Sequence, residues 1–289
     1  MKIGLVLEGG AMRGLYTAGV LDVFMENNIS VDGIIGVSAG ALFGMNYKSK
    51  QPGRVLRYNK NFAGSKEYMG LHSLLTTGNV MNKDFCFNKI VHELDPVDFD
   101  TFQRSKEEFY AVVTNIETGK AEYIGMDDLR DEEQMEYLRA SGSMPFLSTP
   151  VCVRGKRYLD GGIADSIPIG KIMSMGYDRV IVILTRPEDY RKKKTNTLLP
   201  KLYYRKYPSL VSTINNRYRA YNQQLERVNA LAEAKKIFAI RPSKLVKIKR
   251  LEKDMGKIQE MYDLGREDAV KSLAAMMEYL NGKGKIENG

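Results

Sequence analysis

Apolar runs bounded by turn residues alternate with helically spaced ones along most of the chain. IGLVLE (3–8) reads as a strand, and LYTAGVLDVFMENN (15–28) follows with its apolar positions at helical spacing. VDGIIGVS (31–38) reads as a second strand and AGALFGMNYKSK (39–50) as a second helix. This opening predicts an α/β class, with a parallel sheet and helices on its faces. RVIVILT (179–185) is a continuous apolar run of the kind that parallel sheets bury on both sides, and KIFAIRP (236–242) is a later one. EFYAVVTNIETGKAEYIG (108–125) predicts a hairpin, and TPVCVRGKRYLDGG (149–162) a second one turning at Arg154-Gly155. Helical patterns occupy 208–235 and 257–281. No internal repeat or low-complexity linker interrupts them. The expectation is one globular unit, residues 1–245, with 246–289 as a helical C-terminal extension packed on it.

Composition changes this picture little. At 289 residues the chain is near the upper limit of what one core can organise. Its 43% hydrophobic and 27% charged shares are ordinary for a globular protein. No run approaches the roughly 20 apolar residues of a spanning helix. Glu8 ends the first apolar run too early for the core of a signal peptide, about 7–15 residues. A cytoplasmic location is therefore expected. Cys86 and Cys152 read as two small residues packed inside. Neither C-x-x-C nor H-E-x-x-H occurs, so no metal is expected.

Charge adds one feature. The net charge of +9 suits polyanionic partners. No nucleic-acid motif accompanies it, so no nucleic acid is expected. The basic residues concentrate in segment 186–206, where Arg191, Lys192, Lys193, Lys194, Lys201 and Arg205 alternate with Leu198, Leu199, Leu202, Tyr203 and Tyr204. That mixture reads either as a solvated surface or as a peripheral contact with an anionic inner-membrane surface.

Three short elements carry the candidate chemistry. The first is LEGGAMRG (7–14), between the first strand and the first helix. A dinucleotide fingerprint ending on Gly14 would put its second glycine on Ala11. A P-loop would need Lys and Ser or Thr where Leu15 and Tyr16 stand. What remains is a small-residue turn offering N–H groups at a helix start, suited to an anion that develops during reaction; a bare tight connection is the alternative. The second element is GVSAG (36–40), the pattern of a nucleophile elbow, with Ser38 between Gly36 and Gly40. A strand precedes it and a helix follows, as an elbow requires.

The α/β-hydrolase order of Ser, acid, then His fails here. The chain's two histidines are His72 and His92, and both precede any suitable late acid. A serine still needs a base, which leaves a carboxylate. Asp160, in YLDGGIADSIP, ends an apolar strand and is followed by Gly161 and Gly162. A purely structural Asp-Gly turn is the competing reading.

EGGAMRG (8–14), GVSAG (36–40) and DGG (160–162), in that order, resemble the signature of the patatin-like phospholipase family. The likeness spans about residues 3–185 and includes ASGSMPF (140–146). The resemblance implies a three-layer α/β/α fold with a mainly parallel central sheet and a Ser-Asp dyad that uses no histidine. It makes Ser38 the nucleophile, Asp160 the general base, and Gly9, Gly10 and Arg13 the oxyanion-hole segment. Where the family's run commonly has a third glycine, this chain has Glu8 or Ala11, depending on alignment. The expected function is cleavage of carboxylic esters of lipids through an acyl-enzyme, without metal or organic cofactor. The rival is a catalytically silent membrane-surface or scaffolding protein on the same fold.

Overall fold

Strands form where β-branched and aliphatic residues run unbroken, and here they line up in one sheet. The computed structural model describes residues 1–195 and 197–282. Asn196 in the expected basic segment and 283–289 in the expected extension lie outside the described residues. In chain order the strands and α-helices begin with β1 (Ile3–Leu7), α1 (Leu15–Glu26), β2 (Gly33–Val37), α2 (Ala39–Lys48), α3 (Arg54–Phe62), α4 (Leu71–Thr77) and, after a π-helix at Phe85–Leu94, α5 (Phe99–Arg104). Next come β3 (Glu108–Asn115), β4 (Ala121–Gly125), α6 (Glu132–Ser141), β5 (Val151–Val153), β6 (Lys156–Asp160), α7 (Ile169–Ser174) and β7 (Arg179–Ile183). The chain then runs through α8 (Leu198–Tyr203), α9 (Pro208–Glu233), β8 (Phe238–Ile240) and α10 (Met255–Asn281).

The sheet order is β5-β6-β3-β2-β1-β7-β8, with β4 also pairing to β3. Strands β3, β2, β1, β7 and β8 run parallel to one another, while β4, β5 and β6 enter as antiparallel hairpin strands. Both expected hairpins are present. The second turns at Arg154 and Gly155, which take φ of 48° and 74°, the double positive φ of a tight hairpin turn.

Alternation along the central strands divides the interior into two cores. Leu5, Leu7, Ile34, Phe109, Ile181 and Ile183 face the side covered by α1, α2 and α10. Val6, Ile35, Val37, Val112, Val180 and Val182 face α7 and α9. The result is the expected three-layer α/β/α arrangement. At about 25 cal/mol per Å² of buried apolar surface, each such side chain contributes on the order of 1.5–3 kcal/mol. Helix α10 is fastened to α1 by polar contacts as well: Tyr262 Oη donates to Asp22 at 2.5 Å, and Arg266 pairs with Glu26.

Of the two cysteines, Cys86 is buried as expected but Cys152 is exposed. Cys152 lies on β5 between inward-facing Val151 and Val153, so strand alternation turns its side chain outward.

Candidate active site

The register on β3 decides which residues meet. Val112 pairs with Val37 of β2 and also with Tyr123 of β4, so those two strands lie on opposite edges. Val113 pairs with Asp160 of β6 and with Glu122 of β4, so β6 shares the edge that β2 occupies. Strand β2 runs parallel to β3 and β6 antiparallel, so their C-terminal ends meet head to head at Val112 and Val113. Ser38 follows the end of β2, and Asp160 is the last residue of β6.

Ser38 turns the chain from strand to helix alone, since β2 ends at Val37 and α2 begins at Ala39. That single-residue turn forces φ 54° and ψ −123°, a conformation costing on the order of 1–3 kcal/mol for a non-glycine residue. The glycines of the motif give it room. A methyl at Gly36 would sit 2.5 Å from Ala41 Cα, and one at Gly40 2.4 Å from Leu7 O. Ser38 N–H donates to Ser141 Oγ at 2.9 Å, and Ser38 Oγ donates to Asp160 Oδ2 at 2.6 Å.

Asp160 is held on both sides. Its Oδ1 accepts from Gly162 N–H at 2.8 Å, and its carbonyl accepts from Thr114 Oγ1 at 2.9 Å. A methyl at Gly161 would lie 2.1 Å from Val112 O, so only glycine lets the turn close against β3. Burial pushes the Asp160 carboxyl up from its ordinary value, while the Arg217 charge and the hydrogen bonds from Ser38 and Gly162 oppose the rise. A carboxylate raised in this way is better matched to accepting a proton near neutral pH than an ordinary aspartate is.

The glycine loop lies directly beside the serine. A methyl at Gly9 would come within 2.9 Å of Ser38 Cβ, and one at Gly10 within 2.8 Å of Thr185 Oγ1. The N–H groups of Gly9, Gly10 and Ala11 take no part in the hydrogen bonds of the adjoining sheet and turn. Arg13 N–H is spent on Gly10 O at 3.1 Å, so Arg13 can serve the site through its side chain but not its amide. Ala11 takes φ 49°, which identifies it as the position where a third glycine would sit without strain. Glu8 has a separate task. Its buried carboxylate accepts from Thr185 N–H at 2.6 Å and from Tyr221 Oη at 2.8 Å, tying the loop to the end of β7 and to α9.

Two kinds of space meet at Ser38. One is a polar cleft of about 720 Å³, partly open to solvent, which Asp160 and the glycine loop also line. Adjoining it, and sharing Ala11, Met144 and Arg250 with it, is a mainly apolar slot of about 440 Å³ walled by Met12, Phe43, Met69 and Met81. It shares Leu42, Phe43, Tyr68 and Met81 with a second apolar cavity that reaches Ile90 and Leu138. His72 and His92 are exposed and line none of these spaces; His92 stacks on Phe99.

The basic segment divides where sequence suggested one continuous surface. Lys193, Lys194, Lys201 and Arg205 are exposed, but Arg186 and Lys192 turn into the cleft. The cause is α9. The Asn222 side chain accepts from Lys192 N–H at 2.9 Å and donates to Lys192 O at 3.1 Å, which lays Lys192 Nζ over the Tyr221 ring. Tyr204 is also buried rather than outward-facing, because its hydroxyl accepts from Phe146 N–H at 3.1 Å and its ring packs on Phe146. Ser141, Arg217 and Arg250 are site residues that sequence reasoning missed. Ser141 lies within ASGSMPF, whose position before the aspartate was the available signal.

The patatin-like phospholipase model matches residues 5–172, and a domain of unknown function, DUF6363, matches residues 207–281. The uncharacterized protein YjjU of Escherichia coli is 27% identical over 272 residues, covering 92% of this chain and 75% of its own length. Lysophospholipase nte1 of Emericella nidulans is 33% identical over 189 residues, which is 63% of this chain but 12% of the fungal protein. Among solved structures, VipD from Legionella pneumophila matches with a TM-score of 0.49 at 15% identity, covering 95% of this chain and 67% of that one.

Proposed function

The chain belongs to the patatin-like phospholipase family, a family of lipid ester hydrolases, and from that premise we propose that it cleaves carboxylic esters of lipids with Ser38 and Asp160 as a two-residue catalytic unit. The observation that carries this reading is the 2.6 Å hydrogen bond from Ser38 Oγ to Asp160 Oδ2, made at a strained elbow beside three uncommitted backbone N–H groups. Ser38 Oγ attacks the acyl carbonyl while its proton passes to Asp160. The oxyanion is held by N–H groups of Gly9, Gly10 and Ala11; removing one such donor typically costs about 2.7–4 kcal/mol. The dipole of α2 points its positive end at the same place. Collapse of the intermediate expels the alcohol, which takes the proton back from Asp160. Water then attacks the acyl-enzyme with Asp160 again as base, releasing the acid.

The apolar slot beside Ser38 is the space this reading gives to the acyl chain. Methionines suit it, being unbranched and able to mould around chains of different length. The outward residues Lys193, Lys194, Lys201 and Arg205 and the exposed side of α8 (Leu198, Leu202 and Tyr203, 63%, 75% and 59% exposed) are the proposed contact with an anionic lipid surface. No helix among the described residues is long and apolar enough to cross a membrane. The test is a panel of phospholipids, lysophospholipids, acylglycerols and short-chain esters, comparing wild type with Ser38→Ala. Hydrolysis of at least one acyl ester by wild type and none by folded Ser38→Ala is expected. Equal rates in the two would overturn the reading.

A further inference from the structure

The polar cleft has a wall built from cations. Arg13, Arg186, Lys192, Arg217 and Arg250 all line it, against two carboxylates, Glu8 and Asp160. None of the five lies within salt-bridge distance of a carboxylate among the described residues. The Nε groups of Arg13 and Arg217 are shielded from water and have no hydrogen-bond partner among the described residues. Leaving buried guanidinium donors unmatched is costly, and folded proteins seldom do it without a reason. The two carboxylates are already engaged: Glu8 by Thr185 and Tyr221, Asp160 by Ser38 and Gly162.

Four of the five cations lie after the 5–172 match. Arg217 is on α9, within the region matched by the domain of unknown function. Arg186 follows β7, Lys192 is clamped to α9 by Asn222, and Arg250 precedes α10, its carbonyl facing Met12 N–H. A methyl at Gly162 would touch both Arg217 Nη2 and Asp160 Oδ1, each at 3.1 Å, so no more than a glycine's room separates guanidinium from carboxylate. A negative group held by this wall would therefore lie close to a scissile ester on Ser38, with the acyl chain in the adjoining apolar slot, whose rim Arg250 shares.

We propose that Arg186, Lys192, Arg217 and Arg250, with Arg13, build a phosphate-binding wall on the hydrolytic site that selects, among acyl phospholipids, those whose headgroup is a phosphomonoester. This rests on the hydrolase reading above and narrows its substrate. Arginine forks match phosphate oxygens in bidentate fashion, and a dianion answers an excess of cations better than a zwitterionic or neutral headgroup does. Lys192 adds a consequence. Burial, then the charges of Arg217, Arg13 and Arg250, push its ammonium down to about 7 despite Glu8, so a bound phosphate would restore its proton.

Two arms test this, beginning with kcat/KM for a lysophosphatidate and for the lysophosphatidylcholine of the same chain, both below their micelle concentrations. Wild type should favour the lysophosphatidate by about 100-fold, and Lys192→Met and Arg250→Gln should each cut that ratio about tenfold, the scale of one charge-assisted hydrogen bond. The second arm is calorimetric titration of Ser38→Ala with lysophosphatidate and, separately, with inorganic phosphate, which tells a lipid headgroup from free phosphate. Tighter binding of the lipid is expected; melting curves check that each variant is folded. A ratio near one, a ratio that survives both substitutions, or binding of inorganic phosphate without a lysophosphatidate preference would overturn the proposal. Absence of hydrolysis on every ester would instead sink the hydrolase reading, and the titration would still decide the phosphate wall.

Discussion

Ser38 and Asp160, 122 residues apart in the chain, are joined by a 2.6 Å hydrogen bond because β2 and β6 end head to head along the same edge of β3. The serine is fixed by a strand-to-helix turn and the aspartate by a glycine turn, so neither depends on a mobile loop. The carboxylate contacts the hydroxyl directly, with no imidazole between them. Both histidines lie on the surface away from the cleft.

The pH profile of kcat/KM should follow Asp160. The carboxylate must be ionised to take the serine proton, and burial raises its pKa. Activity is therefore expected to fall on the acid side with a midpoint above the ordinary aspartate value of about 3.9. The Arg217 charge works against the rise, so Arg217→Met should move the midpoint upward. A midpoint that stays at the ordinary value in wild type would count against Asp160 as base.

Strain at the elbow should show as stability. Ser38→Ala keeps a side chain at φ 54°, whereas Ser38→Gly removes the penalty at some cost in chain entropy. The glycine variant is expected to be more stable than the alanine variant by about 1 kcal/mol. Denaturant titration of the two inactive proteins measures the difference, and equal midpoints would mean the turn is unstrained.

Much of this arrangement was legible in the sequence. β1, β2, β7, α1, α2 and both hairpins follow from apolar periodicity and turn residues, which are local signals. The three glycine elements marked the loop, the elbow and the aspartate turn for the same reason. The cationic wall was not legible, because Arg186, Lys192, Arg217 and Arg250 are spread over three segments with no common motif. Lys192 sits in a run of like charges that ordinarily faces solvent; only the Asn222 clamp and the Tyr221 ring turn it inward. Nor could spacing reveal the apolar slot, although the chain's 15 methionines were a compositional hint.

Lys192 should also be a cost to the unliganded fold. Its pKa of about 7 lies below the ordinary lysine value of about 10.4, so the unfolded chain binds more protons between those two pH values. The folded state is penalised most where both forms are charged, below pH about 7, and the penalty fades as pH rises toward the unfolded value. Lys192→Met is therefore expected to raise the melting temperature, and by more at pH 6 than at pH 9. The groups setting this are Arg217 and Tyr221 on α9, Glu8 and Arg13 around the glycine loop, and Arg250 before α10. A lower melting temperature for the variant at pH 6 would mean that Lys192 is paired within the fold.

Membrane contact is expected through the outward residues of segment 186–206. Replacing Lys193, Lys194, Lys201 and Arg205 by Gln removes charges worth on the order of 1 kcal/mol each near an anionic surface, or about 100-fold or more together. Sedimentation with phosphatidylglycerol vesicles at low salt should show that loss, and phosphatidylcholine vesicles should bind wild type weakly. Equal binding to both lipids, insensitive to salt and to the substitutions, would exclude the contact.

The most direct measurement is the rate at which a fluorophosphonate labels the protein, with the modified peptide identified by mass spectrometry. The label is expected on Ser38. Asp160→Asn should slow labelling by about 100- to 1,000-fold, the scale of a lost general base. The His72→Gln/His92→Gln double variant should stay within a few-fold of wild type. Labelling at another residue, Asp160→Asn reacting at the wild-type rate, or a collapse of labelling in the histidine variant would contradict a serine activated by Asp160 alone.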